Sequence, residues 1–179
     1  VAYLGAAASG ERYAELDSDW TARVGDTLAS RCDSAFVGYG INDILVYTAA
    51  QNSTAFIERW HFLKTKGIGR IYQATILPRT NAAGTVVDGD PTQRNAFNAW
   101  LRDGAPGYWQ AIYSRWQARP TGSMAADTYR IGGSDPVGGL HPLDGVLDVH
   151  AVAADTSDAN LWKPGWTSDG VHPNATGHA

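Results

Sequence analysis

Apolar positions along this chain follow two periods that alternate. Leu16, Trp20, Val24 and Leu28 recur at helical spacing, which predicts a helix over residues 16–31. Residues 34–39 form a short apolar run closed by glycine, the pattern of a buried strand. A second helix is expected over residues 53–66, capped by Asn52 or Ser53 and stopped by Gly67. Residues 70–77 read as a strand ended by Pro78, followed by a long Gly/Asn/Thr-rich loop over 78–89. Asp90 then caps a helix that has Pro91 at its first position and Gln93 three residues after the cap; it runs to about Asp103 and stops at Gly104. Residues 107–119 predict another short helix, 121–142 a glycine-rich irregular stretch, and 146–149 a further strand. Residues 1–4 are a short apolar strand leading into a small-residue loop over 5–10, and Asn174 would open a last helix.

Strands alternating with helices predict an α/β domain with a mainly parallel sheet. Such sheets bind ligands beyond the carboxyl ends of their strands. Three segments are expected there: residues 5–10, residues 40–43 and the loop after Val149.

Composition narrows the partners. The 179 residues amount to about one domain. Apolar residues make up 44% and charged residues 18%, which suits a globular core. The net charge of −4 and the lack of a basic run argue against nucleic acid. No apolar stretch approaches the ~20 residues of a membrane span. Cys32 stands alone, which excludes an internal disulfide and a cysteine-based metal site. His61, His141 and His150 show no metal-ligand spacing with carboxylates, so neither a metal nor another cofactor is implied.

The chemistry concentrates in three short strings. In Asp169-Gly170-Val171-His172-Pro173-Asn174, a carboxylate sits three positions before an imidazole. One turn of backbone lets the carboxylate reach the ring's Nδ1–H, which fixes the tautomer and leaves Nε2 as a base. In Gly38-Tyr39-Gly40-Ile41-Asn42-Asp43, a strand ends in glycine and delivers an amide that can donate to an oxyanion. In Ala8-Ser9-Gly10-Glu11, the glycine lets a backbone N–H approach a substrate. Each string also has a plain structural reading: a helix entry, a strand terminator and a strand-to-helix turn respectively. Trp162 and Trp166 flank the Asp/His pair and are candidates for substrate contact, whereas Trp109 and Trp116, seven apart, read as core packing of an amphipathic helix.

In order and spacing, the three strings resemble the second, third and fifth blocks of the SGNH (GDSL-type) hydrolase/esterase family, and residues 94–102 resemble a helix common in it. The resemblance covers nearly the whole chain. It implies a flavodoxin-like three-layer α/β/α fold with strand order 2-1-3-4-5. It also implies a Ser-His-Asp triad cleaving carboxylic esters, in which His172 is the base, Asp169 its orienter, and Gly10 N–H and the Asn42 side chain line the oxyanion hole. The substrate would be a small-molecule or polysaccharide ester. The family's Gly-Asp-Ser nucleophile block is not matched, since only nine residues precede Gly10. Ser9 lacks the strand-end turn that exposes a nucleophile, Thr27 of Gly25-Asp26-Thr27 falls inside a predicted helix, and Ser134 has no strand before it. The expectation is therefore a single domain clipped at both ends, with its serine on a strand upstream of Val1. Such a piece, expressed alone, is expected to be inactive and poorly soluble or unstable, because the missing strand would be central. The alternative is a non-catalytic carbohydrate-binding or structural module on the same fold.

Overall fold

The computed structural model describes residues 10–13, 22, 24, 31–108, 128–129 and 141–178. Three strands, β1 (Ser34–Val37), β2 (Arg70–Ala74) and β5 (Gly145–Leu147), form a parallel sheet in the order β1-β2-β5. Ser34 pairs with Arg70 and Tyr72 with Gly145 in the register. Parallel neighbours need crossovers. Helix α1 (Ala49–Thr65) lies between β1 and β2, and α2 (Pro91–Arg102) between β2 and β5. The α/β class predicted from the apolar pattern is therefore what the chain forms.

The strand period sorts β2 into two faces. Ile71 and Gln73 are fully buried, while Tyr72 points the other way and stacks on the exposed Phe36 at 5.4 Å. The helices meet the inner face with stripes at helical spacing: Phe56, Ile57, Trp60 and Leu63 on α1, and Arg94, Phe97, Asn98 and Leu101 on α2. Phe56 meets Phe97 edge-on at 4.8 Å, and Trp60 stacks on Trp100 at 5.8 Å. Two buried polar side chains inside this core are paired. Trp60 Nε1 donates to Gln73 Oε1. Asn98 bonds both backbone groups of Ile76, accepting from its N–H at 2.7 Å and donating to its carbonyl at 2.8 Å. That amide acts as a short piece of ladder and ties α2 to the chain leaving β2.

Several boundaries differ from the sequence reading. Helix α1 begins at Ala49, a turn earlier than Ser53, because Thr48 caps it: Thr48 Oγ1 accepts from Gln51 N–H and Gln51 Oε1 accepts from Thr48 N–H. Asn52 is buried inside the helix, and Ser53 Oγ donates to the Ala49 carbonyl. Asp90 caps α2 as expected, but Gln93 Oε1 accepts from Ala49 N–H at 2.7 Å and so joins the two helix starts. Residues 107–108, read as a helix start, form strand β3 (Gly107–Tyr108), antiparallel to β4 (Thr128–Tyr129) inside the stretch read as irregular. Strand β5 stops at Leu147 because Asp148 caps the short helix α3 (Val149–Ala153) through Ala151 N–H. The expected strand 1–4, the loop through Ser9, the helix 16–31 apart from Ala22, Val24 and Arg31, and Trp109, Trp116 and Ser134 lie outside the described residues. Among the described residues, no helix is long and apolar enough to cross a membrane.

Candidate active site

The three strands described in the sheet run parallel, so the chain leaves each of them at one carboxyl edge, where residues 40–43 and the residues after β5 follow. After β1 the chain turns at Gly40, whose φ of +127° and the Ile76 side chain 2.6 Å from where a Cβ would stand both demand glycine. Residues Asp43–Leu45 form a single 3-10 turn with Asn42 at its start. Asn42 makes no side-chain cap bond, so its amide is released from the turn. Asn42 Nδ2 donates to the Glu11 carbonyl at 3.3 Å. The next residue, Asp43, is fully buried and accepts from Tyr13 N–H at 3.1 Å. Tyr39 O–H donates to Glu11 Oε2, and Tyr13 stacks on Tyr39 at 4.9 Å. These contacts seat the segment Gly10–Tyr13 on the turn. Gly10 is exposed with φ of +75°, one residue from the carbonyl that Asn42 holds.

The Asp169–His172 string folds back as its spacing predicts. Asp169 Oδ2 lies 2.7 Å from His172 Nδ1, and Asp169 Oδ1 accepts the backbone N–H of Val171 and of His172 at 2.8 Å each. The hydrogen bond to the His172 ring, helped by the two backbone donors, holds the carboxyl well below the usual carboxylate range. With Nδ1–H committed to the carboxylate, Nε2 is the ring's acceptor, and it bonds nothing among the described residues. Both side chains face solvent, His172 at 76% and Asp169 at 53%. Thr167 closes the loop: its Oγ1 donates to the His172 carbonyl at 2.9 Å and accepts from Gly170 N–H at 2.8 Å.

The two tryptophans near the pair take different places. Trp162 is 2% exposed and donates its indole N–H to the Gly170 carbonyl at 3.0 Å, so its ring supports the loop from below rather than facing a substrate. Trp166 is half-buried, with Lys163 Nζ 4.7 Å from its ring centre. His141 and His150 are buried; His141 bonds the Ala105 carbonyl and Leu143 N–H.

The Gly/Asn/Thr-rich loop over 78–89 links the two halves. Residues 79–88 form a small hairpin, closed by the Thr80–Val87 bridge and the Arg79–Asp88 ion pair at 2.8 Å. Thr80 N–H donates to the Gly170 carbonyl at 2.9 Å. Just past the hairpin, Leu45 Cδ2 lies 2.8 Å from where a Cβ on Gly89 would stand, so the turn after Asn42 packs against the same segment. Asp43, Glu11 and Tyr39 were likewise missed as site builders. The Asn-Asp pair was a visible signal, but the partners of Asp43 lie 30 residues away in sequence.

No family model matches the chain, and no curated protein matches it.

Proposed function

We propose that this chain carries the base and oxyanion halves of a serine hydrolase of carboxylic esters, of the SGNH (GDSL-type) kind. The observation that carries the reading is the 2.7 Å Asp169–His172 contact, which leaves Nε2 unbonded and turned to solvent. The sheet order supports it: β1-β2-β5 has the sequence of the last three strands in a 2-1-3-4-5 sheet. The reading requires a serine nucleophile that the three matched strings do not supply. Its hydroxyl attacks the acyl carbonyl while His172 Nε2 takes the proton. The negative charge on the tetrahedral oxygen is met by Gly10 N–H and by Asn42. The Asn42 amide has two N–H donors; the Glu11 carbonyl orients it through one and leaves the other for the oxyanion. Collapse expels the alcohol, which takes its proton from His172, and water releases the acid by the same steps in reverse roles. The substrate is a small-molecule or polysaccharide ester.

The test uses the product of the complete reading frame, treated with a fluorophosphonate and with an activated ester. Labelling of one serine and a burst of released alcohol are expected, and His172→Ala should abolish both while the protein keeps its thermal transition. A folded, complete product that neither labels nor turns over would overturn the reading. It would favour a non-catalytic binding module, a reading to which the Asn42–Glu11 bond also lends itself.

A further inference from the structure

Trp162 has a place in the fold that substrate contact does not explain. Its backbone bridges Ala154 at the end of α3, and the Lys163 N–H donates to the Ala153 carbonyl at 2.9 Å, so the residue is rooted beside the carboxyl end of β5. From there the buried indole reaches the Gly170 carbonyl. That oxygen is the junction between the Asp169–His172 loop and the rest of the protein. It receives Trp162 Nε1–H at 3.0 Å from the β5 side and Thr80 N–H at 2.9 Å from the hairpin after β2. Gly170 itself is buried with φ of +79°, and a Cβ there would stand 2.0 Å from the Thr80 carbonyl oxygen. The loop's other bonds are short-range ones within residues 163–178, such as Thr167 to His172 and Asn174 to Trp166. They fold the loop but do not place it.

We propose that Trp162 is a positioning residue for His172, acting through the Gly170 carbonyl. The proposal rests on the hydrolase reading for its purpose, but the placement can be read without any ester. Fixing Gly170 fixes the backbone that presents Val171 and His172 N–H to Asp169 Oδ1, and so the carboxylate that holds Nδ1–H. Removing the indole donor leaves the carbonyl only its Thr80 donors, both from the hairpin side, and a gap beneath the loop.

The experiment follows the His172 ring nitrogens by 15N NMR in mildly alkaline buffer, in the same product of the complete reading frame, where their shifts report the ratio of Nδ1–H to Nε2–H tautomers. Trp162→Phe keeps most of the ring and loses the donor. The ratio is expected to fall, by at most about fivefold, the limit set by one neutral hydrogen bond. Trp100→Phe is the control; it loses an indole bond of the same length, to the Pro106 carbonyl, far along the chain, and should leave the ratio alone. An unchanged ratio in folded Trp162→Phe would overturn the proposal, as would an equal fall in Trp100→Phe. If Trp162→Phe does not fold, the unmutated chain decides: the Trp162 indole N–H should exchange with solvent far more slowly than that of Trp166, and equal rates would overturn it. A shifted ratio together with an inert complete protein would keep the positioning role and defeat the hydrolase reading instead.

Discussion

The two halves of the candidate site are held in opposite ways. The oxyanion half is rooted in the core. Asn42 follows a strand, its neighbour Asp43 is fully buried, and its partners Glu11 and Tyr13 come from about 30 residues away in sequence. The base half is a surface loop. Asp169 and His172 are both exposed and are bound to one another across three positions. A donor for an oxyanion must be fixed relative to a nucleophile on another strand, so it gains from long-range anchoring. A base needs its tautomer fixed, which one short-range carboxylate can do. The design places rigidity where position matters and local chemistry where proton bookkeeping matters, with the Gly170 carbonyl as the join.

Breaking the local chemistry should have the largest effect. Asp169→Asn keeps the size of the side chain and leaves Oδ1 to accept from Val171 and His172 N–H. The remaining amide NH2 then faces His172 Nδ1, which must accept instead of donate, and the proton moves to Nε2. On the proposed hydrolase reading, kcat is expected to fall roughly 10⁴-fold, with little change in KM. The tautomer ratio should invert. A retained Nδ1–H signal in Asp169→Asn would mean that the backbone, not the carboxylate, sets the ring.

Breaking the anchored half should cost less. Asn42→Ala removes one oxyanion donor and should lower kcat roughly 10²–10³-fold while leaving Asp169–His172 untouched. The bond it loses to the Glu11 carbonyl is long and half-buried, so the thermal midpoint should barely move. A large loss of stability with unchanged kcat would assign Asn42 to structure alone and remove the contrast between the halves.

This contrast also explains what was legible in the sequence. Asp169 and His172 are joined across one turn of backbone, so spacing alone predicted their contact. The Asp90 cap with Pro91 was legible for the same local reason. The α1 start was misplaced although its signal was equally local: Thr48 and Gln51 form the capping box, but Asn52 and Ser53 are also good caps and stand nearer the apolar stripe. Asp148 ended β5 early through a cap that competes with a β-rich run. Trp162 reads in sequence as a substrate contact but is buried, because burial depends on a loop closing over it from eight residues downstream. The seating of Glu11 and Tyr13 on Asn42-Asp43, and the hairpin that reaches Gly170, are long-range facts that no window of sequence contains.

Acid should separate the halves with the smallest but most diagnostic effect. His150, buried beside β5, is pushed down to about 4 by burial and by Arg94 and Arg102, against the opposing pull of Asp148 and the Ala159 carbonyl. His61 on α1 is pushed down to about 4 as well, by burial and by His141. In the unfolded chain both titrate at about 6.5. Between these values the unfolded state binds protons that the native state refuses, so stability is full above about pH 6.5 and declines as pH falls towards about 4. Asp169 has the opposite character. Its native carboxyl titrates below the ordinary range, so its contribution is present above the unfolded carboxylate pKa and survives throughout that window. The urea midpoint should therefore drop across the window while the Asp169 carboxyl 13C shift of the native protein stays flat. His150→Gln should flatten part of the drop, because the amide takes up no proton. A titrating Asp169 signal in that window would show that the loop opens with the core, and that the two halves are one cooperative unit.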